Sequence, residues 1–339
     1  MKTNREKHGL RGTVKSVHIE TAQFQEQDGQ ILEKPWFSHT MTFNPGGWLT
    51  EQVNRNPDGS EWRTVNDYSE SGLLLASRTY DPADALSGEV QYCYDEAGKL
   101  VAEQFITQDG ETTSPTIYTY ESNGEKIKIR EFDFAGEMNL MIGIEGTSSS
   151  IPAPEAKRIE TRYDHHGEAV EVKIFNTTEA LVSRVEITRD ARGNPLEETQ
   201  YIGDTLPFRS CSSDSCSTEE IAPLSEEEQA ELAAEMARLF SPGTVMSKYI
   251  HRYDVEGKLI ESTLTMMDME ASRQTFAYDK AGNKSEEVSY NHDGMLEGRA
   301  LLAHEYDEYG NWTKEVISTA LSADESTPVQ TTRRIITYW

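Results

Sequence analysis

Cysteine is scarce in this sequence: Cys93, Cys211 and Cys216 are the only three in 339 residues. That excludes a fold stapled by many disulfides. Cys211 and Cys216 bracket a Ser-rich loop, Cys-Ser-Ser-Asp-Ser-Cys. A metal site there would need two further ligands, which the neighbouring sequence does not offer. Two free thiols, or a local disulfide in an oxidising compartment, are the readings left open. Apolar residues are also few, at 36% with Tyr counted and about 38% when the 23 Gly replace the 15 Tyr. An ordinary globular domain has ~45–50%, so a single deep core is not expected. A thin architecture, in which each unit packs mainly on its neighbours, needs less apolar surface.

Long hydrophobic runs are missing as well. No stretch approaches the ~18 apolar residues that span a bilayer, and no membrane insertion is expected. Met1 to Leu10 (MKTNREKHGL) is charged and lacks the apolar centre of a signal peptide. The compartment is therefore cytoplasmic if this start is native, and cell-surface or secreted if a signal has been removed. Basic charge is short too: 32 Lys and Arg against 59 Asp and Glu leave a net charge of −27. Such a surface repels phosphate backbones, which excludes nucleic acid as a partner. It either attracts basic proteins or stays solvated.

Catalytic signatures are absent. There is no H-E-x-x-H, no G-x-S-x-G and no phosphate-cradling glycine loop. The eight His are scattered, and adjacent His165 and His166 fall in a turn where neighbouring side chains should point apart, not in a metal pair. Acidic residues are so common that a carboxylate pair at glycosidase spacing carries no weight. No enzyme, cofactor or metal is expected. Three N-x-S/T sequons, at Asn176, Asn283 and Asn311, lack a secretory signal to give them meaning.

What is present is a repeat. Tyr94 to Leu100 reads YDEAGKL, Tyr253 to Leu259 YDVEGKL, Tyr278 to Lys284 YDKAGNK and Tyr306 to Trp312 YDEYGNW. YDHHGEAV at 163–170 is a fifth such tip, and FNPGGW, YSESGL, YESNGEK and RDARGNPL at 43, 68, 120 and 189 are four degenerate ones. The aromatics at 43, 68, 94 and 120, and again at 253 and 278, are about 25 or 26 residues apart, the length of a repeat unit. Asp at the first turn position accepts a backbone N–H two residues on. Gly three positions later supplies the positive φ that a bulge after a type I turn requires. Upstream residues alternate, as with Val90, Tyr92 and Tyr94, the mark of a strand with one packed face. Second turns at Asp28-Gly29, Asp58-Gly59, Asp109-Gly110 and Asp293-Gly294 complete a strand–turn–strand–turn unit. The D-x-x-G tips offer too few oxygens for calcium.

Tyr92 to Leu100 resembles the Tyr-x-Tyr-Asp-x-x-Gly-Arg-Leu consensus of the YD-repeat, or RHS-repeat, family, with Lys99 in place of Arg. The resemblance covers roughly residues 10–200 and 246–339. It implies a ribbon of hairpins coiling into a shell that, in large members, encloses a toxin; sugar binding at cell surfaces has also been proposed. This chain is far shorter than a closed shell requires and ends on the strand-like Arg334 to Trp339, so encapsulation of a toxin is not expected.

The expected fold is all-β: a repeat array of antiparallel hairpins forming a long curved or coiled open sheet, with one inserted α-helix. Twenty or so strands at ~4.8 Å would make a ribbon of about 90 Å, its first end capped by Gly9 to Phe24. The expected organisation is a tail (1–9), repeats (10–142), a flexible loop (143–154), repeats (155–202), an insertion (203–245) and repeats (246–339). In the insertion, Ser225 with Glu226, Glu227 and Glu228 forms a capping box with an acidic first turn. Leu232, Met236, Leu239 and Phe240 make one apolar stripe, stopped by Ser241-Pro242-Gly243. That helix either covers the sheet or binds a partner.

Function is expected to be non-catalytic. The leading expectation is a scaffold binding a protein or glycan ligand on its sheet face. Its candidate surface comprises Tyr92, Tyr94, Tyr118, Tyr120, Tyr253, Tyr278, Tyr306 and Trp312; Trp36, Trp48, Trp62 and Trp339 are spread along the strands outside that set. For the tip tyrosines the favoured reading is packing of unit on unit with hydroxyls wet, and an exposed ladder that stacks on sugar rings or a peptide is the alternative. The alternative function is an immunity- or chaperone-like acidic partner of a basic toxin.

Overall fold

The computed structural model describes residues 3–27, 30–132, 156–204, 240–320 and 326–339, and the backbone of 138–144 and 147–153. A one-turn helix, α1 (Asn4–Lys7), precedes the first strands, β1 (Val14–Gln27), β2 (Gln30–Phe43), β3 (Leu49–Arg55), β4 (Glu61–Tyr68), β5 (Leu74–Tyr80) and β6 (Leu86–Tyr94). Next come β7 (Leu100–Thr107), β8 (Thr116–Tyr120), β9 (Lys126–Glu131), β10 (Met138–Ile144), β11 (Thr147–Ala153), β12 (Ala156–Tyr163), β13 (Ala169–Asn176) and β14 (Leu181–Arg189). The last are β15 (Pro195–Ile202), β16 (Val245–Tyr253), β17 (Leu259–Met266), β18 (Met269–Tyr278), β19 (Lys284–Asn291), β20 (Leu296–Tyr306), β21 (Trp312–Ala320) and β22 (Ser326–Tyr338).

The tips form as their chemistry dictates. At the tip after β6, Gly98 N–H donates to the Asp95 carbonyl at 3.0 Å and Asp95 N–H to the Lys99 carbonyl at 2.9 Å. The Asp95 carboxylate accepts from the N–H of Ala97 (3.0 Å) and of Lys99 (2.8 Å). Gly98 has φ +75°, where a Cβ would strain the backbone. Asp164, Asp190, Asp254, Asp279 and Asp307 accept the same pair of N–H groups.

The expectation of an open curved sheet is overturned. Twenty strands belong to one sheet, and β1 pairs with β2 on one side and with β22 on the other. Val17 stands opposite Met41 and Ile336, and Ile19 opposite His39 and Arg334. The first and last strands thus meet, and the array does not run as an open ribbon from one end of the chain to the other. Both edges of β1 are therefore paired, where a free end strand would invite pairing with other chains. The segment from Gly9 to Phe24, expected to cap one end, supplies the strand that joins the two ends. Residues 143–154, expected as a flexible loop, hold most of a hairpin, β10–β11, in a separate two-stranded sheet.

Among the described residues α1 is the only helix. The expected helix lies outside them, with Leu232, Met236 and Leu239; Phe240 is a half-buried turn residue. Cys211 and Cys216 also lie outside, and Cys93 is an exposed free thiol.

The chain divides into two compact units, Met1–Thr113 with Ser272–Trp339, and Ser114–Ala271. The first has a small core of Leu10, Val14, Val17, Ile19, Met41 and Phe43 around the β2–β1–β22 junction, with Leu49, Ile336 and Tyr338 against it. The second packs Ala156, Val172, Ile174, Val182, Val185 and Ile187. Apolar material is concentrated at these points, as a low apolar fraction requires.

Candidate functional site

The tyrosines of the repeat tips are tied to the strands beside them. Tyr68 Oη donates to the Leu49 carbonyl at 3.0 Å, and Tyr94 Oη to the Leu74 carbonyl at 2.8 Å. In the second unit Arg189, at the degenerate tip, does the same job, its Nη2 donating to the Ala169 carbonyl at 3.1 Å. Tyr306 and Tyr338 donate instead to the tip carboxylates of Asp279 and Asp307. Each also accepts an amide N–H at 2.8 Å, from Asn283 and Asn311 respectively. Burial pushes the Tyr68 and Tyr338 hydroxyls up to about 12. Of the predicted surface, Tyr118 is buried, while Tyr92, Tyr94, Tyr120, Tyr253, Tyr278, Tyr306 and Trp312 are half-buried.

Only part of that set is brought together. Tyr306 stands opposite Trp312 across β20–β21, beside the buried His304 ring. His304 Nε2 is 3.0 Å from Glu315 Oε2, and its Nδ1 is 3.5 Å from Asp279 Oδ2. The Trp312 ring is covered by the Arg334 guanidinium, 3.3 Å from its centroid, and burial lowers that guanidinium to about 10. The indole face is therefore occupied from within. His165 and His166, expected to point apart, have ring centroids 3.8 Å apart. Among the described residues no three His, Cys, Asp or Glu converge as a metal site.

A better-formed site lies elsewhere in the first unit. The β1–β2 hairpin is longer than its neighbours: β2 pairs with β3 only from Ser38, opposite Arg55. Thr21 faces Phe37 and Ala22 faces Pro35, so Trp36 is the extra residue of a β-bulge. Bulges re-aim a side chain, and Trp36 is 50% exposed. Beside it opens a cleft of about 400 Å³. One wall is Pro35, Trp36 and Phe37 of β2. Another is the end of β3 and the β3–β4 turn, with Arg55, Asn56, Pro57 and Gly59, and β1, Glu33, Ser38 and Arg333 contribute the rest.

The walls are held firmly. Asn56 N–H donates to the Ser60 carbonyl and Gly59 N–H to the Asn56 carbonyl, both at 2.9 Å. Arg55 pairs with Glu61. Arg333 forks onto Glu33, with Nη2 to Oε1 and Nη1 to Oε2 each at 2.8 Å. The Arg333 hydrogen bond holds the Glu33 carboxyl below its usual range, and Glu33 in turn raises Arg333. The lining has no histidine, cysteine or lysine; its aromatic rings supply a stacking surface, and its carboxylates, hydroxyls and amide supply polar groups. In the sequence Trp36 was one of several scattered aromatics, and Pro57 carried no signal. The cleft comes from a bulge and a closure that join β1, β2, the β3–β4 turn and β22.

No protein-family model and no curated protein matches the chain. Solved structures similar to it include a porin-like protein from Bacteroides uniformis, with 10% identity over 96% of each chain and a TM-score of 0.33. TcdB2-TccC3 is similar at 14% identity over 91% of this chain, with a TM-score of 0.40. The Photorhabdus luminescens Tc holotoxin pore is similar at 13% identity over 89%, with a TM-score of 0.36. The chain spans 15% of each of those two toxin chains.

Proposed function

We propose that this protein is a non-catalytic β-repeat scaffold that binds a protein or glycan ligand, and that the ligand seats in the Trp36 cleft. The observation that carries the reading is the half-exposed indole at a bulge, which lines a cavity of about 400 Å³ together with a turn fixed by its own hydrogen bonds. Concave sites of ~300–1,000 Å³ with an apolar surface and a few placed polar groups are where ligands bind. The tip tyrosines contribute indirectly, by joining strands into a stiff frame.

The test is to present the protein and its Trp36→Ala variant to the same arrays of glycans and peptides. Ligands held by the parent and lost by the variant support the reading, and identical profiles would overturn it. A second reading, an acidic immunity- or chaperone-like partner of a basic toxin, is favoured by the net charge of −27. It predicts capture of a purified basic toxin domain that weakens steeply with salt and ignores Trp36→Ala.

A further inference from the structure

We infer that the occupant of the Trp36 cleft is a neutral carbohydrate of one or two sugar rings. The inference rests on the reading that this cleft is the ligand site, and it comes from what the lining has left to offer.

Charge is the first discriminator. Both arginines are already neutralised, Arg333 by a two-pronged contact with Glu33 and Arg55 by Glu61. No guanidinium is free for a phosphate, sulfate or carboxylate, and a protein of net charge −27 repels such groups at a distance. A cation finds Glu33 committed to Arg333 and only Glu20 besides, fewer oxygens than a cation site needs. A ligand without net charge is left.

Shape is the second. The strip of β2 from Gln30 to Phe37 lies beyond its pairing with β3, which would suit strand addition by a peptide. Two features blunt it. Pro35 has no N–H to give, and the bulge at Trp36 breaks the spacing of the remaining donors. An extended peptide would lose the ladder that gives such complexes their affinity. A pyranose ring needs no ladder. Its C–H face lies on an indole, and its hydroxyls, each a donor and an acceptor, match fixed polar groups such as the Asn56 amide and the oxygens of the Glu33–Arg333 pair. A volume of about 400 Å³ is at the small end for ligand sites, which fits one or two rings.

The experiment is calorimetric titration of the full chain with cellobiose, lactose and diacetylchitobiose. Sialyllactose, a sulfated disaccharide and a proline-rich peptide are titrated alongside. At least one neutral disaccharide should bind more tightly than about 10 mM. Trp36→Ala should weaken it at least tenfold and Trp36→Phe far less. Raising salt from about 0.1 to 1 M, which shortens the screening length from ~10 to ~3 Å, should change affinity less than twofold. Trp36 is half-exposed, so the variants should keep the parent's melting temperature. Trp36-dependent binding of an acidic sugar or the peptide in place of the neutral ones would overturn the neutral-carbohydrate inference and leave the cleft reading standing. Binding that none of the Trp36 variants alters, or no binding by any probe, would overturn both.

Discussion

Ser16 and Thr337 lie 321 positions apart, yet their hydroxyls are 2.6 Å from each other across β1–β22. Replacing both with cysteine, in a background where Cys93, Cys211 and Cys216 are serine, turns the closure of the sheet into a covalent test. Directly opposite residues hold their Cβ atoms ~4.5–5.5 Å apart, and a disulfide needs ~3.5–4.5 Å. The hydroxyl contact puts this pair at the near end, so a modest inward shift suffices. In the chain-entropy picture a loop of this length gives a ceiling of about 6 kcal/mol, and strain brings real gains to ~2–5 kcal/mol. Mild oxidation should consume both thiols, speed migration on a non-reducing gel, and raise the urea midpoint by a corresponding amount. In an open ribbon of twenty strands the two positions would be about 90 Å apart. If the thiols stay free, or link only between molecules, the closure is wrong.

The other predictions concern packing, the tip tyrosines and pH. Phe43 is 1% exposed at the β2–β1–β22 junction; Phe43→Ala should cost about 3–5 kcal/mol in urea unfolding, whereas Trp36→Ala should stay within ~0.5 kcal/mol. Tyr94→Phe removes the 2.8 Å bond to the Leu74 carbonyl and should cost about 1 kcal/mol, seen as a lower urea midpoint with an unchanged slope. The N–H of Lys258, then that of Glu256, hold the Asp254 carboxyl below its usual range. A depressed carboxylate stabilises fully above its unfolded value near 3.9 and loses that contribution as pH falls through the lower folded value. Melting temperature should therefore drop below about pH 4, and Asp254→Asn should flatten that part of the curve.

Much of the frame was legible in local sequence because its causes are local. Asp95 and Gly98 sit three residues apart, and turn chemistry alone specifies the N–H groups that the carboxylate accepts and the positive φ of the glycine. The alternation of Val90, Tyr92 and Tyr94 likewise marks one face of β6. The closure has no such signal. Val14, Val17 and Ile19 announce a strand, but nothing within reach of them in sequence says that Ile336 and Arg334 lie opposite. The same gap hid the cleft. Pro35-Trp36-Phe37 reads as the middle of a strand, and the bulge that turns Trp36 outward depends on its register against Thr21 and Ala22. Trp312 is the converse case: a tip aromatic by sequence, it is stacked under Arg334 from the distant β22.

The most direct test of the account is hydroxyl-radical footprinting with and without the neutral disaccharide that binds most tightly. The account predicts that bound sugar protects Trp36, Phe37 and Pro57, and leaves the reactivity of Tyr92, Tyr94 and Tyr306 unchanged. Protection of those tyrosines with Trp36 unaffected would contradict it, and would move the site to the repeat tips.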